Sequence, residues 1–358
     1  MNKFKFYFIL FSTLLVLFSS CNKDDDEVAA TPLRDFGDQF KTDIENIELY
    51  LSTHKLNPDI TDYAANVNSS NLLIKCSSTD LARLSLLGEN TSPKLLSKLV
   101  NKHDITYKVY YLQFQEGNSV EKPCPYDEIL VTYRGTSLKS ETETQTSGQV
   151  KVVNETEFEN SPVANLFNLG TVFVKGWPEI FPMFGIGVFD ETATGNGPNV
   201  YTNYGAGIMF LPSGLAYYQQ SPQTNIPSYS PLVFSFQLLN LKRSDNDNDG
   251  ILTVDELAVN SEGKYTDTDG DGIYDFGDID DDNDGFTTLN EIKKPTPLGI
   301  NQGTSLYYPF NPIVDNPLTT DIDESEPKGI PDKSGDFSTP TRVRRHLDKN
   351  AKPPYTTY

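Results

Sequence analysis

Residues 128–138 read EILVTYRGTSL and residues 231–242 read PLVFSFQLLNLK. Both are dense in β-branched and aromatic side chains and are bounded by Asp, Pro or Asn, the pattern of strands rather than helices. The same texture fills YKVYYLQF at 107–114 and GAGIMFLP at 205–212. Together these stretches predict an antiparallel sheet domain over 105–243. In a chain of 358 residues, 37% hydrophobic and 11% aromatic, that leaves room for one or two further units.

Upstream, residues 35–56 (DFGDQFKTDIENIELYLSTHKL) place Phe36, Phe40, Ile44, Ile47 and Leu51 at spacings of three and four, which predicts a helix with one apolar face. Between 57 and 104, LARLSLL and PKLLSKLV suggest one or two more helical pieces. The whole of 35–104 is therefore expected to be a small helical region that serves packing or dimerisation.

The first 21 residues, MNKFKFYFILFSTLLVLFSSC, combine two lysines, an apolar run from Phe6 to Phe18, two small residues and a cysteine. This is the layout of a signal peptide over 1–20, and the apolar run is short of the roughly 20 residues that span a bilayer. The small-small-Cys ending resembles a bacterial lipobox, with Phe18 where Leu is usual. The resemblance implies that Cys21 becomes a lipidated first residue and that acyl chains hold the molecule to the outer membrane, on its periplasmic or outer face. Residues 21–34 then form a tether, and its NKDDDE (22–27) is similar to the acidic export tag of some Bacteroidetes surface lipoproteins, or else a solvated spacer. Two other cysteines, Cys76 and Cys124, would sit in an oxidising compartment, and their spacing leaves a bridge between them open.

The formal net charge is −21, and residues 245–291 hold 16 acids against the single base Lys264, so −15 of it is local. The one basic cluster, Arg342, Arg344 and Arg345, is too small to bind phosphate backbones, which argues against nucleic acid as a partner.

The acidic run has internal order. A hard cation held by oxygen needs carboxylates at alternate positions, a Gly for the sharp turn and a bidentate acid at position twelve. DNDNDGILTVDE meets every requirement, with ligands Asp245, Asp247, Asp249, the carbonyl of Ile251, Thr253 and Glu256. DDDNDGFTTLNE repeats it with Asp280, Asp282, Asp284, the carbonyl of Phe286, Thr288 and Glu291. Between them DTDGDGIYDFGD offers Asp267, Asp269, Asp271, the carbonyl of Ile273, Asp275 and Asp278, and ends in Asp rather than Glu. The outer two loops are EF-hand-like, and the middle loop resembles thrombospondin type 3 repeats. Flanking helices are brief and only three Met occur in the chain, so Ca2+ over 244–294 is expected to stiffen a spacer rather than to open a groove. Residues 295–358, rich in Pro, Asn and Thr, are expected to be an irregular or partly disordered extension.

Within 107–242 the words VTYRG, FENS, FNLG, FVKGW, LPSGLAYY, IP and PLVFSFQLL occur in order. In this order they resemble the FKBP-type peptidyl-prolyl isomerases over nearly the whole domain. The resemblance implies an α+β fold in which an antiparallel sheet curls around a short helix, here preceded by the helical region and followed by the calcium loops. It further implies a pocket floored by the only tryptophan, Trp177, and lined by Tyr133, Phe158, Glu159, Phe167, Phe173, Val174, Tyr217, Ile226 and Phe234. Trp177, Phe158 and Phe234 would wall a proline ring, and the Tyr217 hydroxyl and Ile226 amide would donate to a substrate carbonyl. Such chemistry needs no cofactor, and its substrates are proline-containing polypeptides of the exported proteome.

Three features depart from the family pattern. Glu159 stands where Asp is usual, and 188–206 (VFDETATGNGPNVYTNYGA) is a long insertion expected to form a flap near the pocket. In WPEIFPMFG (177–185), Pro178 suits a first helical turn but Pro182 removes an internal bond, so the helix must be short or bent. A non-catalytic binding or chaperone module on the same scaffold is the alternative, and a surface adhesin dominated by its calcium loops is a third. Client proteins and oligomeric state are not written in the sequence.

Overall fold

The computed structural model describes residues 32–77, 79–118, 120–145, 148–190, 199–295, 305–314 and 325–355. The signal peptide, Cys21 and the acidic tag lie outside these residues. The chain divides into two units, Met1–Asp35 and Phe36–Tyr358; of the first, only 32–35 are described, without helix or strand. Among the described residues no helix is long and apolar enough to cross a membrane.

The second unit is built on a six-stranded antiparallel sheet in the order β3-β4-β9-β10-β5-β6. Its strands are β3 (Lys94–Lys102), β4 (Ile105–Gln115), β5 (Glu128–Gln145), β6 (Gly148–Asn168), β9 (Gly205–Leu211) and β10 (Leu232–Lys242). Two short pairs, β1 (His54–Leu56) with β2 (Leu73–Lys75) and β7 (Val188–Phe189) with β8 (Tyr201–Thr202), stand apart from it.

The run PLVFSFQLL is nearly all apolar because β10 is covered on both faces. Leu232, Phe234, Phe236 and Leu238 join a core with Tyr107, Trp177 and Phe181. The intervening Val233 joins a second core with Ile47, Tyr50, Leu51 and Phe210. Ser235 and Gln237, on that second face, donate to the carbonyls of Val67 and Ala64 at 2.5 and 2.8 Å. Alternate residues of a strand face opposite ways, so a two-sided apolar run reports two covering layers.

Helix α1 (Phe36–Thr53) supplies the second layer, with a face rotated from the one the apolar spacing predicts. Its buried residues are Gln39, Asp43, Asn46, Ile47, Tyr50 and Leu51. The polar members are buried because they have partners: Asp43 accepts from the Ser213 amide and hydroxyl at 2.7 and 2.6 Å, and Gln39 donates to Asp43 at 2.7 Å.

The further helices expected within 57–104 are not formed. PKLLSKLV is strand β3, paired with β4 from Lys94↔Gln113 to Lys102↔Ile105, and LARLSLL holds a single 3-10 turn, Leu84–Leu86. Pairing with β4 overrides a leucine spacing that also fits a helix, and Lys94, Lys98 and Lys102 mark β3 as an edge strand. The 35–104 region is thus one helix plus loops and strands that cover and extend the sheet, rather than a helical unit.

The helix at Trp177 behaves as its prolines require. Helix α2 (Trp177–Ile180) is one turn long and passes at Phe181–Met183 into a 3-10 turn, where Pro182 has no donor to give. After Lys242 come helix α3 (Thr253–Glu256), a 3-10 turn at Asp275–Gly277 and helix α4 (Thr288–Glu291), each a turn or less. The described parts of the extension are irregular but packed. Ile251, Ile292, Tyr308 and Ile330 form a core of their own, and the fully buried Arg345 donates to the Lys293 carbonyl at 2.8 Å with its guanidinium over the Tyr355 ring. Lys294, 2% exposed, pairs with Glu326. Buried cations held by a carbonyl, aromatic rings and a carboxylate replace the periodic apolar pattern that would have made this region legible.

Candidate functional site

The site begins with Tyr133 on β5, which lies opposite Phe236 on β10. Register irregularities between Val131 and Tyr133 and between Gly135 and Thr136, against β6, bracket this short stretch and re-aim its side chains. Gly135 has a steric reason: a Cβ there would sit 2.5 Å from Phe158 Cζ and 3.1 Å from Phe234 Cε1. Its absence lets Phe158 and Phe234 meet edge to face, their centroids 5.7 Å apart.

Trp177, 4% exposed, lies at the start of α2 inside a ring of aromatic edges. The rings of Tyr133, Phe167, Phe181 and Phe234 meet it at 5.4, 5.2, 5.3 and 5.3 Å, all near perpendicular. Four edge-on contacts fix the indole plane with little rotamer freedom. Above it opens a cavity of about 270 Å³ lined by Tyr133, Glu159, Phe167, Val172, Phe173, Val174, Trp177, Tyr217 and Phe234. Six of the nine are aromatic and one is a carboxylate, which makes an apolar slot with a single charged rim.

Phe173, 54% exposed, stacks on Tyr217 at 5.4 Å on one side of the slot. Burial, and then the hydrogen bond and charge of the Glu159 carboxylate, hold the Tyr133 phenol above its ordinary range. Burial and the same charge raise Tyr217. Both phenols therefore stay protonated and able to donate at any physiological pH. Among the described residues, no His, Cys or Ser side chain lines the cavity.

Eight of the ten expected pocket residues come together here, and two do not. Phe158 packs behind Phe234 rather than on the lining. Ile226 is 3% exposed in the core, and its amide, expected to serve a substrate, donates to the Gln223 carbonyl at 3.2 Å. The preceding loop closes into a turn that uses this donor. The expected flap at 188–206 is represented by the β7–β8 pair, with 191–198 outside the described residues, and none of its described residues lines the cavity.

Sequence reasoning missed Val172 on the lining and the support behind Tyr217. Asp43 of α1, fully buried, caps the Ser213–Leu215 turn from which Tyr217 follows. No pattern in the sequence joins residues 43 and 213. The two remaining cysteines are free thiols, Cys76 half-buried and Cys124 buried, and burial pushes the Cys124 thiol up to about 11.

The three aspartate loops share one internal ladder. In each, the amide of the Gly at position six donates to the first carboxylate at 3.1 Å: Gly250 to Asp245, Gly272 to Asp267, Gly285 to Asp280. The amide at position seven donates to the carboxylate at position five at 2.8 Å: Ile251 to Asp249, Ile273 to Asp271, Phe286 to Asp284. The glycines take φ of +95°, +98° and +93°, the left-handed region where side chains are strained. Carboxylates at positions one, three and five converge in all three loops: Asp245, Asp247 and Asp249; Asp267, Asp269 and Asp271; Asp280, Asp282 and Asp284.

Position nine departs from the expectation. Thr253 Oγ1, Asp275 Oδ1 and Thr288 Oγ1 instead accept the amides of Asn246, Thr268 and Asp281 at 3.1, 2.8 and 3.4 Å. Each loop is thus closed on its own second residue.

The outer loops fit a hard cation on a further ground. Among the described residues, oxygens of Asp245, Asp247, Asp249 and Glu256, and of Asp282, Asp284 and Glu291, are buried without a hydrogen-bond partner. Burial, with neighbouring carboxylates adding to it, pushes Asp249 up to about 8 and Glu256 to about 11. Burial likewise moves Glu291 to about 8, where the Tyr355 hydroxyl at 2.7 Å is a partial counterweight. Buried carboxylates with neither cation nor donor are costly, and a divalent ion removes that cost. The middle loop has the spacing without buried orphan oxygens; its position-seven Ile273 is 49% exposed, against 2% for Ile251.

Comparison with known proteins adds the following. A family model described as BamM C-terminal matches residues 241–321. No curated protein matches the chain. A solved peptidyl-prolyl cis-trans isomerase from Pseudomonas syringae is similar at 18% identity over 41% of this chain and 81% of that one, with a TM-score of 0.27. FkpA from Escherichia coli is similar at 24% identity over 40% of this chain, with a TM-score of 0.26, and the chain covers 51% of it.

The expected basic cluster is not a patch. Arg345 is buried, and Arg342 and Arg344 donate to the backbone carbonyls of Ile330 and Phe310 at 3.0 and 3.3 Å.

Proposed function

We propose that the cavity above Trp177 binds proline-containing segments of polypeptides and accelerates rotation about the X-Pro bond. The observation that carries this reading is the convergence of Tyr133, Phe167, Trp177 and Phe234 on one apolar slot with protonated phenols at its side. Rotation requires loss of the amide's partial double-bond character, against a barrier of about 18–20 kcal/mol. An apolar slot strips water from the carbonyl, whose charge-separated resonance form water favours, and holds the proline ring while the preceding residue turns. Tyr217 donates to a substrate carbonyl; Trp177 and Phe234 grip the ring. The spontaneous step takes tens to hundreds of seconds, so a folding helper for exported proteins has a rate to improve.

In the same reading Cys21 carries the lipid anchor, and Ca2+ held by the aspartate loops orders residues 244–294. The match of 241–321 to a BamM C-terminal model agrees with an outer-membrane setting. A non-catalytic FKBP-like binding module on a calcium-stiffened lipoprotein is favoured by one detail, the Ile226 amide already engaged by Gln223. A protease-coupled assay on an Ala-Pro peptide separates the two. The isomerase reading expects acceleration that Tyr217→Phe reduces about 10- to 100-fold, the cost of leaving one substrate carbonyl without its donor. Binding of the peptide without acceleration assigns the module instead.

A further inference from the structure

The first loop by itself supplies only the fewest oxygens that calcium accepts. Calcium takes six to eight oxygen ligands. Asp245, Asp247, Asp249, the Ile251 carbonyl and a bidentate Glu256 give six, the low end of that range, and Thr253 Oγ1 at position nine is already engaged by the Asn246 amide at 3.1 Å. Across the gap stands a carboxylate of the third loop. Asp281 is 1% exposed, its Oδ2 accepts from Thr288 Oγ1 at 3.1 Å, and its Oδ1 is buried with no partner among the described residues. One oxygen each from Asp249, Glu256 and Asp281 lie within 4.8 Å of one another. Asp249 is 2% and Glu256 7% exposed, and both Glu256 oxygens also lack a donor.

Asp281 holds the second position of its loop, where the other two loops carry Asn246 and Thr268. Neither of those could supply an anionic ligand. The spacing of a single twelve-residue motif assigns no role to a second-position acid, so Asp281 has no part in its own loop beyond the bond to Thr288.

We propose that Asp281 is a ligand in trans to the divalent-cation site of the first loop, so that one calcium ion pins residues 245–256 to residues 280–291. The proposal rests on the reading that these loops bind calcium. The ion then acts as a staple between two stretches separated by the middle loop. The middle loop hangs between them, more exposed, and its own cation is dispensable for the closure. Uptake at the outer loops becomes cooperative, because ordering the first site positions the Asp280–Glu291 ladder for the third.

The test is a calcium titration of the full chain by calorimetry against a competing chelator, for the parent, Asp281→Asn, Glu256→Gln and the double variant. The expected result is a loss of at least tenfold in affinity at one site in Asp281→Asn, at the same site that Glu256→Gln removes, with no additional site lost in the double variant. Melting guards against trivial misfolding. In chelator, Asp281→Asn replaces a buried carboxyl group whose Oδ1 has no partner among the described residues and melts no lower than the parent; in saturating calcium it melts lower. Affinities within twofold of the parent at every site, with Glu256→Gln still losing one, overturn the role of Asp281 while the loop reading stands. A lower melting point in chelator as well overturns it too, by making the residue a plain packing element. Absence of calcium uptake by the parent brings down the loop reading and the staple together.

Discussion

The aromatic slot and the aspartate loops are both built from side chains turned inward, yet they are completed in opposite ways. In the slot, Trp177 is held by four edge-on rings and Gly135 leaves room for Phe158 against Phe234, so the cavity is formed by the chain's own packing. In the loops, the inward atoms are carboxyl oxygens, several of them buried without a donor, and carboxyl group faces carboxyl group. The first region is closed by its own packing; the second leaves buried acceptor oxygens open. In the proposed reading, a pocket that receives many proline sequences gains from being preformed, whereas a segment that calcium stiffens gains from being loose until the ion arrives.

The largest expected consequence is regional. Removing calcium with a chelator should abolish hydrogen-exchange protection across 245–291 and the segments packed on it, while 94–242 keeps its protection. Equal loss in both regions would erase the distinction. Next comes Trp177→Ala, which removes a core side chain and the floor of the slot together. It should cost about 3–5 kcal/mol of sheet-domain stability in denaturant melts, with calcium affinity unchanged. Gly135→Ala places a methyl against Phe158 and Phe234 and should cost about 1–3 kcal/mol, and it should lower any catalysis more than its stability loss explains.

The smallest expected effect is a trend with pH in the chelated chain. Asp249, Glu256, Asp281 and Glu291 are raised to about 8, 11, 9 and 8, foremost by burial. Their folded forms keep protons that the unfolded chain has released, so stability is greatest below the ordinary carboxylate range and declines as pH climbs toward those values. The melting temperature in chelator should therefore fall between pH 5 and pH 8. Saturating calcium, which favours the deprotonated ligands, should flatten or reverse the slope. A rising slope in chelator would mean that these carboxylates find partners the account does not give them.

Legibility followed the same division. In the aspartate loops, the turn glycines and the convergence of the carboxylates at positions one, three and five were legible, because spacing along twelve residues fixes a local turn; the amide ladder, the engagement of position nine and the place of Asp281 were not, since they depend on how each loop closes. The slot was readable through ordered words, since VTYRG lies on β5, where strand register determines its neighbours, and FVKGW leads directly into helix α2. What failed was non-local. Asp43 reaches Ser213 across the chain, Gln39 and Asn46 are buried on the face where Phe40 and Ile44 were expected, and PKLLSKLV became β3 because β4 was there to pair with it. The packed extension escaped for a related reason. Its core is held by Arg345 on carbonyls and rings, and by the Lys294–Glu326 pair, which leave no periodic trace.

The most direct test is two-dimensional exchange NMR on a short X-Pro peptide with a sub-stoichiometric amount of the full chain, with calcium and then in chelator. The account predicts cis-trans exchange peaks that appear only with the protein, persist when calcium is withdrawn, and vanish with Trp177→Ala. Exchange no faster than in the free peptide, under both conditions, would contradict it.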